Sequence, residues 1–378
     1  MQNLALFTIA LFSASLVAQD FVVTNVTLFD GEALIENTSV LIEDGKVVEV
    51  AQRIETTAER IDGTSKFLMP GLTNSHVHAF SALSLKEAAK AGVLQMYDMH
   101  GMEQYQRQMQ KSFKENPDYA DFYFAGNAAT VPNGHGTQFG FEVSTLTKPT
   151  EAQKFVADRI SSGANYIKII VESWKETLNQ ETISALIAEA HANKILAVVH
   201  ISKWEDAKYV IEEKADGLVH IWWDKKADVA ELKKLKMTEN FFVIPTILTA
   251  HLALDGIRKK SPENEFLSNE DILREVRKLY DAGIPLLTGT DPPNAGINYG
   301  TDLYREMDLM SKAGIPNLEI LKAATSNPSI YFNINETGYI KEGYQAHMIL
   351  LDKNPIQNIK YISTINTVWK SGKKVNRE

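Results

Sequence analysis

The chain of 378 residues contains no cysteine. This absence excludes disulfide bridges, zinc sites built from four cysteines, and catalysis by a thiol nucleophile. Two short motifs are also missing: the GxSxG turn that presents a serine nucleophile and the GxGxxG turn that binds dinucleotides. The commonest serine-hydrolase and dinucleotide-dependent enzyme classes are therefore excluded.

Positive charge is outweighed by negative charge, with 39 Lys and Arg against 48 Asp and Glu and a net charge of −9. The sequence has no basic run of the kind that contacts a phosphate backbone, which argues against nucleic acid as a partner. A hydrophobic content of 44% is ample for a large core, and the length fits one barrel-sized domain with a small addition. We therefore expect a globular protein that acts on a small-molecule substrate. The sequence leaves the subunit count open, and a homo-oligomer is compatible with it.

Long apolar runs are also scarce, and the one near the N-terminus, Leu4–Ala18, is short for a membrane span. It suits the core of a signal peptide, and the first convincing strand begins only at Phe21. We predict that residues 1–19 are a signal peptide, that the protein is exported (periplasmic or secreted), and that no stable membrane insertion follows cleavage. The alternatives are an extra buried strand or a retained anchor, and without a functional signal the protein would be cytoplasmic.

Three regions differ in their sequence patterns. Residues 20–70 contain short β runs separated by turns, and Asp44-Gly45 between two of these runs predicts a hairpin. From 71 to 335 the pattern becomes repeated strand–helix units, which predict an α/β fold with a parallel sheet, either open and doubly wound or closed as a (β/α)8 barrel. Residues 336–378 return to short strands. We predict that they join residues 20–70 in a small discontinuous β-sandwich domain.

Six polar side chains occur at or just beyond the ends of apolar runs in the strand–helix region. They are His76, His78, Lys168, His200, His220 and Asp291. Residues two apart in a strand face the same side, so His76 and His78 can bind one ion together. Imidazole and carboxylate suit zinc and its divalent neighbours. Only a closed ring points five or more strand ends at one spot, so the pattern favours a TIM-type barrel and a metal-dependent hydrolase.

The order and spacing of these motifs resemble the amidohydrolase superfamily, and within it the group around imidazolonepropionase and Xaa-Pro dipeptidase-like enzymes. The likeness extends over nearly the whole chain after residue 20. The segments that carry it are 25–31, Met69-Pro70-Gly71-Leu72, His76-Val77-His78, 163–169, Gly289-Thr290-Asp291, 323–328 and 338–343. Two segments depart from the superfamily's usual patterns. Ala346-His347-Met348 replaces Ala-Asp-Leu, where we expect no effect on chemistry. Segment 96–101 differs from the usual Arg-Asp-x-Gly, so the resemblance does not define the substrate pocket.

The resemblance implies a position for each of the six residues. In that superfamily an HxH pair follows the first strand, a lysine can end the fourth, histidines end the fifth and sixth, and an aspartate ends the eighth. Matched in that order, the residues are His76 with His78, then Lys168, His200, His220 and Asp291. Imidazolonepropionases resemble the branch that uses one metal and lack the lysine, so its presence here favours two ions.

The resemblance also implies the cofactors and the reaction. We predict two divalent ions, zinc by default, bridged by a CO2-derived carbamate on Lys168, whose burial would lower its pKa and favour the reactive neutral amine. One ion would be held by His76, His78 and Asp291, and the other by the two remaining histidines. A hydroxide shared by the ions would attack the carbonyl, because cations lower the pKa of bound water from about 15.7 towards about 7. Asp291 would act as general acid/base in cleaving the C–N amide bond of a dipeptide or an N-acyl amino acid.

Other readings of the same residues stay open. The same centre could hydrolyse a lactone, a carbamate or an organophosphate, or bind one metal beside an unmodified Lys168. A non-catalytic exported protein that binds a small molecule is a further alternative. Three residues are candidates for contact with substrate: His100 after the second strand, His135 on a glycine-rich loop, and Tyr299 in the loop after Asp291.

Overall fold

A computed structural model describes residues 19–235, 237–261 and 265–378. Of the predicted signal peptide, residues 1–18 lie outside the described residues, so the structure does not bear on it. Within the three described ranges, no helix combines the length and the apolarity that crossing a membrane requires.

The described residues contain β-strands in three sheets. In chain order the strands are β1 (Phe21–Phe29), β2 (Leu34–Glu43), β3 (Lys46–Ala51), β4 (Glu59–Asp62), β5 (Phe67–Pro70), β6 (Leu72–Val77), β7 (Val93–Asp98), β8 (Asp121–Phe124), β9 (Ile167–Ile170), β10 (Ala197–His200), β11 (Gly217–Val219), β12 (Phe242–Ile244), β13 (Met348–Leu351), β14 (Ile365–Lys370) and β15 (Lys373–Lys374). Strands from both chain ends form one sheet, and the strands between them form two smaller parallel sheets.

Helices alternate with the strands of the two parallel sheets. They are α1 (Ala82–Lys90), α2 (Glu103–Phe113), α3 (Ala152–Ser162), α4 (Gln180–Ala192), α5 (Trp204–Glu212), α6 (Val229–Leu232), α7 (Ile247–Lys260), α8 (Asn269–Asp281), α9 (Asp302–Lys312), α10 (Asn317–Ala323) and α11 (Ser326–Tyr331). Helix α8 begins directly after Ser268, whose hydroxyl accepts a hydrogen bond from the Asp271 N–H. The α/β class that the alternating pattern predicts is also confirmed.

The sheet formed by both chain ends has the order β15-β14-β13-β5-β1-β2-β3, and β4 pairs with β1. The predicted hairpin joins β2 to β3, where Asp44 has φ +48° and Gly45 has φ +77°. Such a turn needs left-handed backbone at both central residues, which explains the Asp-Gly pair. Strand β13 lies antiparallel to β5, so the two chain ends share one sheet. The described strands of the predicted β-sandwich are therefore connected as a single continuous sheet.

A buried polar contact ties this sheet to the strand–helix region. Asp121, at the start of β8, accepts a hydrogen bond from His347 Nε2 (3.0 Å) and pairs with Lys370 Nζ (2.8 Å). Lys370 is 2% exposed, and its Nζ also donates to the carbonyl oxygen of Tyr119 (2.8 Å). Since His347 is the residue that replaces the superfamily's usual aspartate, this departure serves the contact between the sheet and β8.

Asp121→Asn is expected to lower the free energy of unfolding by about 3 kcal/mol, because it leaves the buried Lys370 ammonium without its counter-charge. Burial alone would raise the pKa of Asp121, but the hydrogen bond from His347 and the charge of Lys370 outweigh burial and lower it. A lowered pKa contributes stability above the unfolded value of about 3.9, and that stability is lost as the pH falls through the folded pKa. Urea unfolding from neutral to acidic pH should show this loss in the wild type and a weaker one in the variant. Asp158→Asn, which breaks the exposed pair with Lys154, is the control, and equal effects of the two substitutions would contradict the prediction.

The two parallel sheets have the orders β6-β7-β8 and β12-β11-β10-β9. Isolated parallel bridges extend them: Ala129 pairs with Ile169 beside β9, and Val243 of β12 pairs with Leu286. The described strands β6 to β12 thus form two sheets rather than one continuous ring. Their strands run parallel, so the carboxyl ends within each sheet, where His76 and His200 occur, meet at one edge. Lys168, expected at the end of its strand, is instead the second residue of β9.

Candidate metal centre

The His76-Val77-His78 segment lies at the carboxyl end of β6, and both imidazoles face Asp291. Nε2 of His76 lies 3.3 Å from Nε2 of His78. Oδ1 of Asp291 lies 3.3 Å from His76 Nε2 and 3.0 Å from His78 Nε2. All three residues are buried. Three groups of the kind that bind metals therefore converge from two distant parts of the chain.

His220 and His200 extend this cluster. The ring centroid of His220 lies 4.8 Å from that of His76 and 4.5 Å from that of His200. Among the described residues, His76, His220 and Asp291 form a group whose ligand atoms all lie within 4.8 Å of one another. His200 stands beside this group, and its Nε2 bonds to a carboxylate, Glu172.

A glycine allows the strand that leads to Asp291 to approach β6 closely. A Cβ atom at Gly289 would lie 2.5 Å from Ile244 Cγ2 and 3.0 Å from His76 Cβ. The first distance is too short for any side chain, so a larger residue here would push apart the strands that carry the cluster. In the Gly289-Thr290-Asp291 motif, close packing therefore requires the glycine, and the proposed metal binding requires the aspartate.

Two of the candidate ligands have backbone conformations that are rare for non-glycine residues. His220 has φ +72° and Asp291 has φ +58°. Hydrogen bonds hold both conformations, since the His220 N–H donates to the Ile244 carbonyl oxygen (2.9 Å) and the Asp291 N–H to the His76 carbonyl oxygen (2.8 Å). Such strain costs on the order of 1–3 kcal/mol per residue and clusters at functional sites.

Lys168 is on β9 and is 2% exposed. Its Nζ has no hydrogen-bond partner among the residues that the structure describes. Burial lowers the pKa of Lys168 to about 7, although the charge of Asp291 acts in the opposite direction. An ammonium is costly in such surroundings, so a large share of this side chain is the neutral amine near neutral pH.

Burial also sets the protonation of the histidines. It lowers the pKa values of His76, His200 and His220 well below the ordinary range, which keeps the rings neutral and able to bind a cation. For His78, burial would lower the pKa, but the hydrogen bond to Asp291 and its charge outweigh burial and raise it. Burial would raise the pKa of Asp291, yet its contacts with His78 lower it. The contact between His78 and Asp291 thus shifts both pKa values in the direction that favours their charged forms.

Glu172, which we did not predict, lies in the same site. It directly follows the apolar run 169–171 after Lys168, is 7% exposed, and accepts hydrogen bonds from His200 Nε2 (3.0 Å) and Ser202 Oγ (2.6 Å). A carboxylate at the end of a buried strand, four residues after the candidate lysine, was the sequence signal that could have revealed it.

A cavity of about 250 Å³ opens onto this cluster. The six predicted ligands all line it, together with Glu172. Apolar side chains form much of the remaining wall: Met99, Phe139, Ile170, Ile201, Ile221 and Trp223. The site is therefore a concave, largely apolar pocket with a small set of convergent polar groups, which is the usual form of a small-molecule site.

The three predicted substrate contacts lie in different settings. His135 lines the cavity, with its ring centroid 4.9 Å from that of His200. His100 also lines it, but its Nδ1 accepts from the Ala128 N–H (2.9 Å) and its Nε2 donates to the Gly136 carbonyl oxygen (3.0 Å). Both ring nitrogens are thus engaged by the backbone, which leaves the ring surface for contact with a ligand.

Tyr299 does not belong to the described residues that line the cavity. Its hydroxyl donates to the carbonyl oxygen of His78 (2.7 Å), and the ring is 9% exposed. Tyr299 therefore supports the His76-Val77-His78 segment through this hydrogen bond, while Asn294 of the same loop lines the cavity.

Comparison with known proteins identifies a family. Residues 67–375 match the model of the family described as "Amidohydrolase family". This range contains all the residues of the cluster and most of the described strands and helices.

The chain is also similar to individual proteins and to a solved structure. The chain is 26% identical over 373 residues to a 5-methylthioadenosine/S-adenosylhomocysteine deaminase of Pyrococcus furiosus, a match that covers 86% of this chain and 84% of that protein. It is 23% identical over 411 residues to ochratoxinase of Aspergillus niger, covering 91% and 84%. The crystal structure of a Xaa-Pro dipeptidase with methionine bound in its active site superposes with a TM-score of 0.80 at 20% identity, covering 95% of this chain and 100% of that one.

Proposed function

The chain belongs to the amidohydrolase family, whose members include hydrolases and deaminases that act on C–N bonds, and we propose that it hydrolyses the amide C–N bond of a dipeptide or an N-acyl amino acid. The name of the Xaa-Pro dipeptidase, whose structure superposes on this chain, supports an amide substrate. The observation that carries the proposal is the amine of Lys168, which has no hydrogen-bond partner among the described residues and lines the cavity with four histidines and Asp291.

We propose that this cluster holds two divalent ions, with zinc as the default. The donor set fits such ions, because three of the four histidines are neutral and Asp291 supplies a carboxylate. His76 Nδ1 and Lys168 Nζ are buried without a hydrogen-bond partner in the described part of the chain. His76, His78 and Asp291 would hold one ion, and His200 and His220 the other. When bound, the ions would polarise the substrate carbonyl and make water acidic enough to attack it near neutral pH.

Lys168 would link the two ions as a carbamate. The neutral amine nitrogen would attack the carbon of CO2, so that an N–C bond forms while one C=O π bond breaks and its electron pair moves to oxygen; loss of one proton from nitrogen then turns the neutral side chain into an anion with two oxygen donors. The lowered pKa of Lys168 supports this step, because only the unprotonated amine has the electron pair it requires. Lys168 lines the cavity, and its Nζ has no hydrogen-bond partner within the described ranges, which supports addition of a group at this nitrogen.

Asp291 is the proposed general acid/base. Its Oδ1 lies 3.0 Å from His78 Nε2 and next to the space where a substrate carbonyl would enter. The carboxylate would take a proton from the attacking water and pass it to the leaving amine, which departs as a neutral molecule. The apolar wall of the cavity would exclude bulk water and favour a substrate with an apolar side chain next to the amide.

We also propose that residues 71–335 form a closed (β/α)8 barrel beside a β-domain built from 20–70 and 336–378. Hydrogen bonds between the two parallel sheets support the ring. The Asn165 N–H donates to the Phe124 carbonyl oxygen (2.8 Å) between β8 and β9. On the other side, the segment after α8 pairs with β12 through Leu286, and the Ser75 N–H of β6 donates to the Thr288 carbonyl oxygen (2.8 Å).

Removing metal should abolish amide hydrolysis. Because Lewis acid activation is worth several kcal/mol, we expect dialysis against a chelator to lower the rate at least about 100-fold and added Zn²⁺ to restore it. The assay is amine release from a panel of dipeptides and N-acyl amino acids. Full activity in the metal-depleted protein, or no turnover of any amide by the metal-loaded protein, would contradict the proposal.

Deamination is a second candidate function, because a relative at 26% identity is named as a deaminase. The same centre would then direct water to a ring carbon that carries an amino group, and ammonia would be released. Incubation with 5-methylthioadenosine separates the two functions. Ammonia release in the absence of amide cleavage would favour the deaminase.

A further inference from the structure

Glu172 has no part in the proposed chemistry, yet it is one of the most buried carboxylates near the cavity. It lies two residues beyond the end of β9, is 7% exposed, and lines the same cavity as the candidate ligands. A buried carboxylate is costly unless its oxygens are used, so its contacts indicate its role.

Both oxygens of Glu172 are engaged by residues around the end of β10. Oε2 accepts a hydrogen bond from His200 Nε2 (3.0 Å), and Oε1 accepts one from Ser202 Oγ (2.6 Å). On the backbone side, the Glu172 N–H donates to Thr177 Oγ1 (3.0 Å). Hydrogen bonds therefore hold both the backbone N–H and the two carboxylate oxygens of Glu172, which fixes the direction of the side chain.

These contacts decide which nitrogen of His200 carries the proton. An ionised carboxylate only accepts hydrogen bonds, so the proton must be on His200 Nε2. With Nε2 protonated and the ring neutral, Nδ1 has the free electron pair. His220 differs from His200 in this respect, because its Nδ1 lies 2.6 Å from Thr246 Oγ1, a hydroxyl that can donate or accept a hydrogen bond.

We propose that Glu172 is a positioning residue that keeps the proton on His200 Nε2 and thereby makes Nδ1 of His200 the metal-binding atom. The proposal rests on the proposed metal-dependent function. A carboxylate behind a histidine ligand orients the ring and makes it a better electron donor, and loss of such a partner typically weakens metal binding 10- to 100-fold. The nearby His135 cannot replace Glu172 in this role. A neutral imidazole that accepts a hydrogen bond from His200 Nε2 forms a weaker hydrogen bond than a charged carboxylate does.

The test is the substitution Glu172→Gln, which keeps the shape of the side chain and removes its charge. We expect about 10- to 100-fold weaker Zn²⁺ binding at one of two sites, measured by competition with a chelating dye, with two ions still bound at saturating Zn²⁺. Activity should fall at limiting Zn²⁺ and recover largely at saturating Zn²⁺. Glu176→Gln is the matched control, because it makes the same change at an exposed position of the same loop, and it should behave as the wild type.

A second measurement reads the proton position directly. In metal-free protein labelled with ¹⁵N-histidine, the His200 signals, assigned by their loss in His200→Asn, should show a protonated Nε2 in the wild type. In Glu172→Gln they should show a mixture of the two neutral forms. An unchanged proton position in the variant would overturn the proposal.

The metal measurement separates the remaining outcomes. Loss of one whole ion from Glu172→Gln at saturating Zn²⁺ would make Glu172 itself a ligand and overturn the positioning role. Unchanged Zn²⁺ affinity would overturn it as well. A wild-type protein that takes up no Zn²⁺ would overturn the proposed function, and it would be distinguished from a failure of the Glu172 proposal by the ¹⁵N measurement on metal-free protein.

Discussion

Asp291→Asn is expected to lower kcat/KM for the best amide substrate by about 10³-fold or more at saturating Zn²⁺. The amide has nearly the same size as the carboxylate, so the fold should be retained. It cannot take a proton from water, and it removes the negative charge that pairs with His78 and would face a cation. Because both the proton acceptor and an anionic ligand are lost, we expect the effect mainly in kcat.

Affinity for a non-hydrolysable substrate analogue, measured by calorimetry, separates catalysis from binding. A large fall in kcat with a nearly unchanged analogue affinity would favour an enzyme over a protein that only binds a small molecule. Asp281→Asn is the control, because that carboxylate is exposed and pairs with Arg277 (2.8 Å) on the surface of α8. Full activity in Asp291→Asn would refute its role as general acid/base.

Lys168→Met is expected to have opposite effects on activity and on the stability of the metal-free protein. Methionine has a similar volume but no amine, so the bridging group cannot form, and we expect the bound metal to fall below two ions and kcat/KM to fall by about 10²-fold or more. The metal-free variant should unfold at a higher temperature, because an apolar side chain replaces a buried amine that has no hydrogen-bond partner in the described part of the chain. Metal analysis and thermal unfolding check the two parts separately.

Bicarbonate provides the internal control for Lys168. Metal-free wild-type protein, depleted of CO2, should take up Zn²⁺ faster when bicarbonate is added, and Lys168→Met should not respond. Intact-mass measurement of the wild type under mild conditions should show the added CO2. One metal equivalent in the wild type, with or without bicarbonate, would instead support a one-metal centre with an unmodified lysine.

The candidate ligands could be located from the sequence because their positions follow from strand geometry. His200 ends the apolar run of β10 and His220 follows that of β11, and in parallel strands the carboxyl ends share one edge. The alternation of strand and helix also predicts the α/β class, which is confirmed. Periodicity and strand ends are local features, so a single sequence is sufficient to read them.

Contacts between distant segments could not be read in the same way. The partnership of Glu172 with His200 depends on the side-chain directions at the ends of two adjacent strands, and the sequence shows only a glutamate after an apolar run. Tyr299 was placed near the pocket because it follows Asp291, but the loop between them turns the hydroxyl to the carbonyl oxygen of His78. His100 is similar, since the backbone groups that engage its ring come from the loop after β8.

His347 shows that a departure from a family pattern can have a structural role. We expected it to have no effect on chemistry, and it is 6% exposed and bonded to Asp121 at the start of β8. The partner is far away in sequence, and nothing in the segment Ala346-His347-Met348 indicates it.

The pairing of β5 with β13 also determines how the molecule is made. On a ribosome the strands β1 to β5 emerge early, but Met69 meets its partner Ile349 only when nearly all of the chain has been synthesised. Until then one edge of β5 lacks its neighbour, Phe21 lacks the Trp369 ring stacked on it, and the carboxylate of Asp121 lacks Lys370. A nascent chain with an open strand edge is prone to pair with other chains, so assembly of this protein is most vulnerable to aggregation just before its last strands are released.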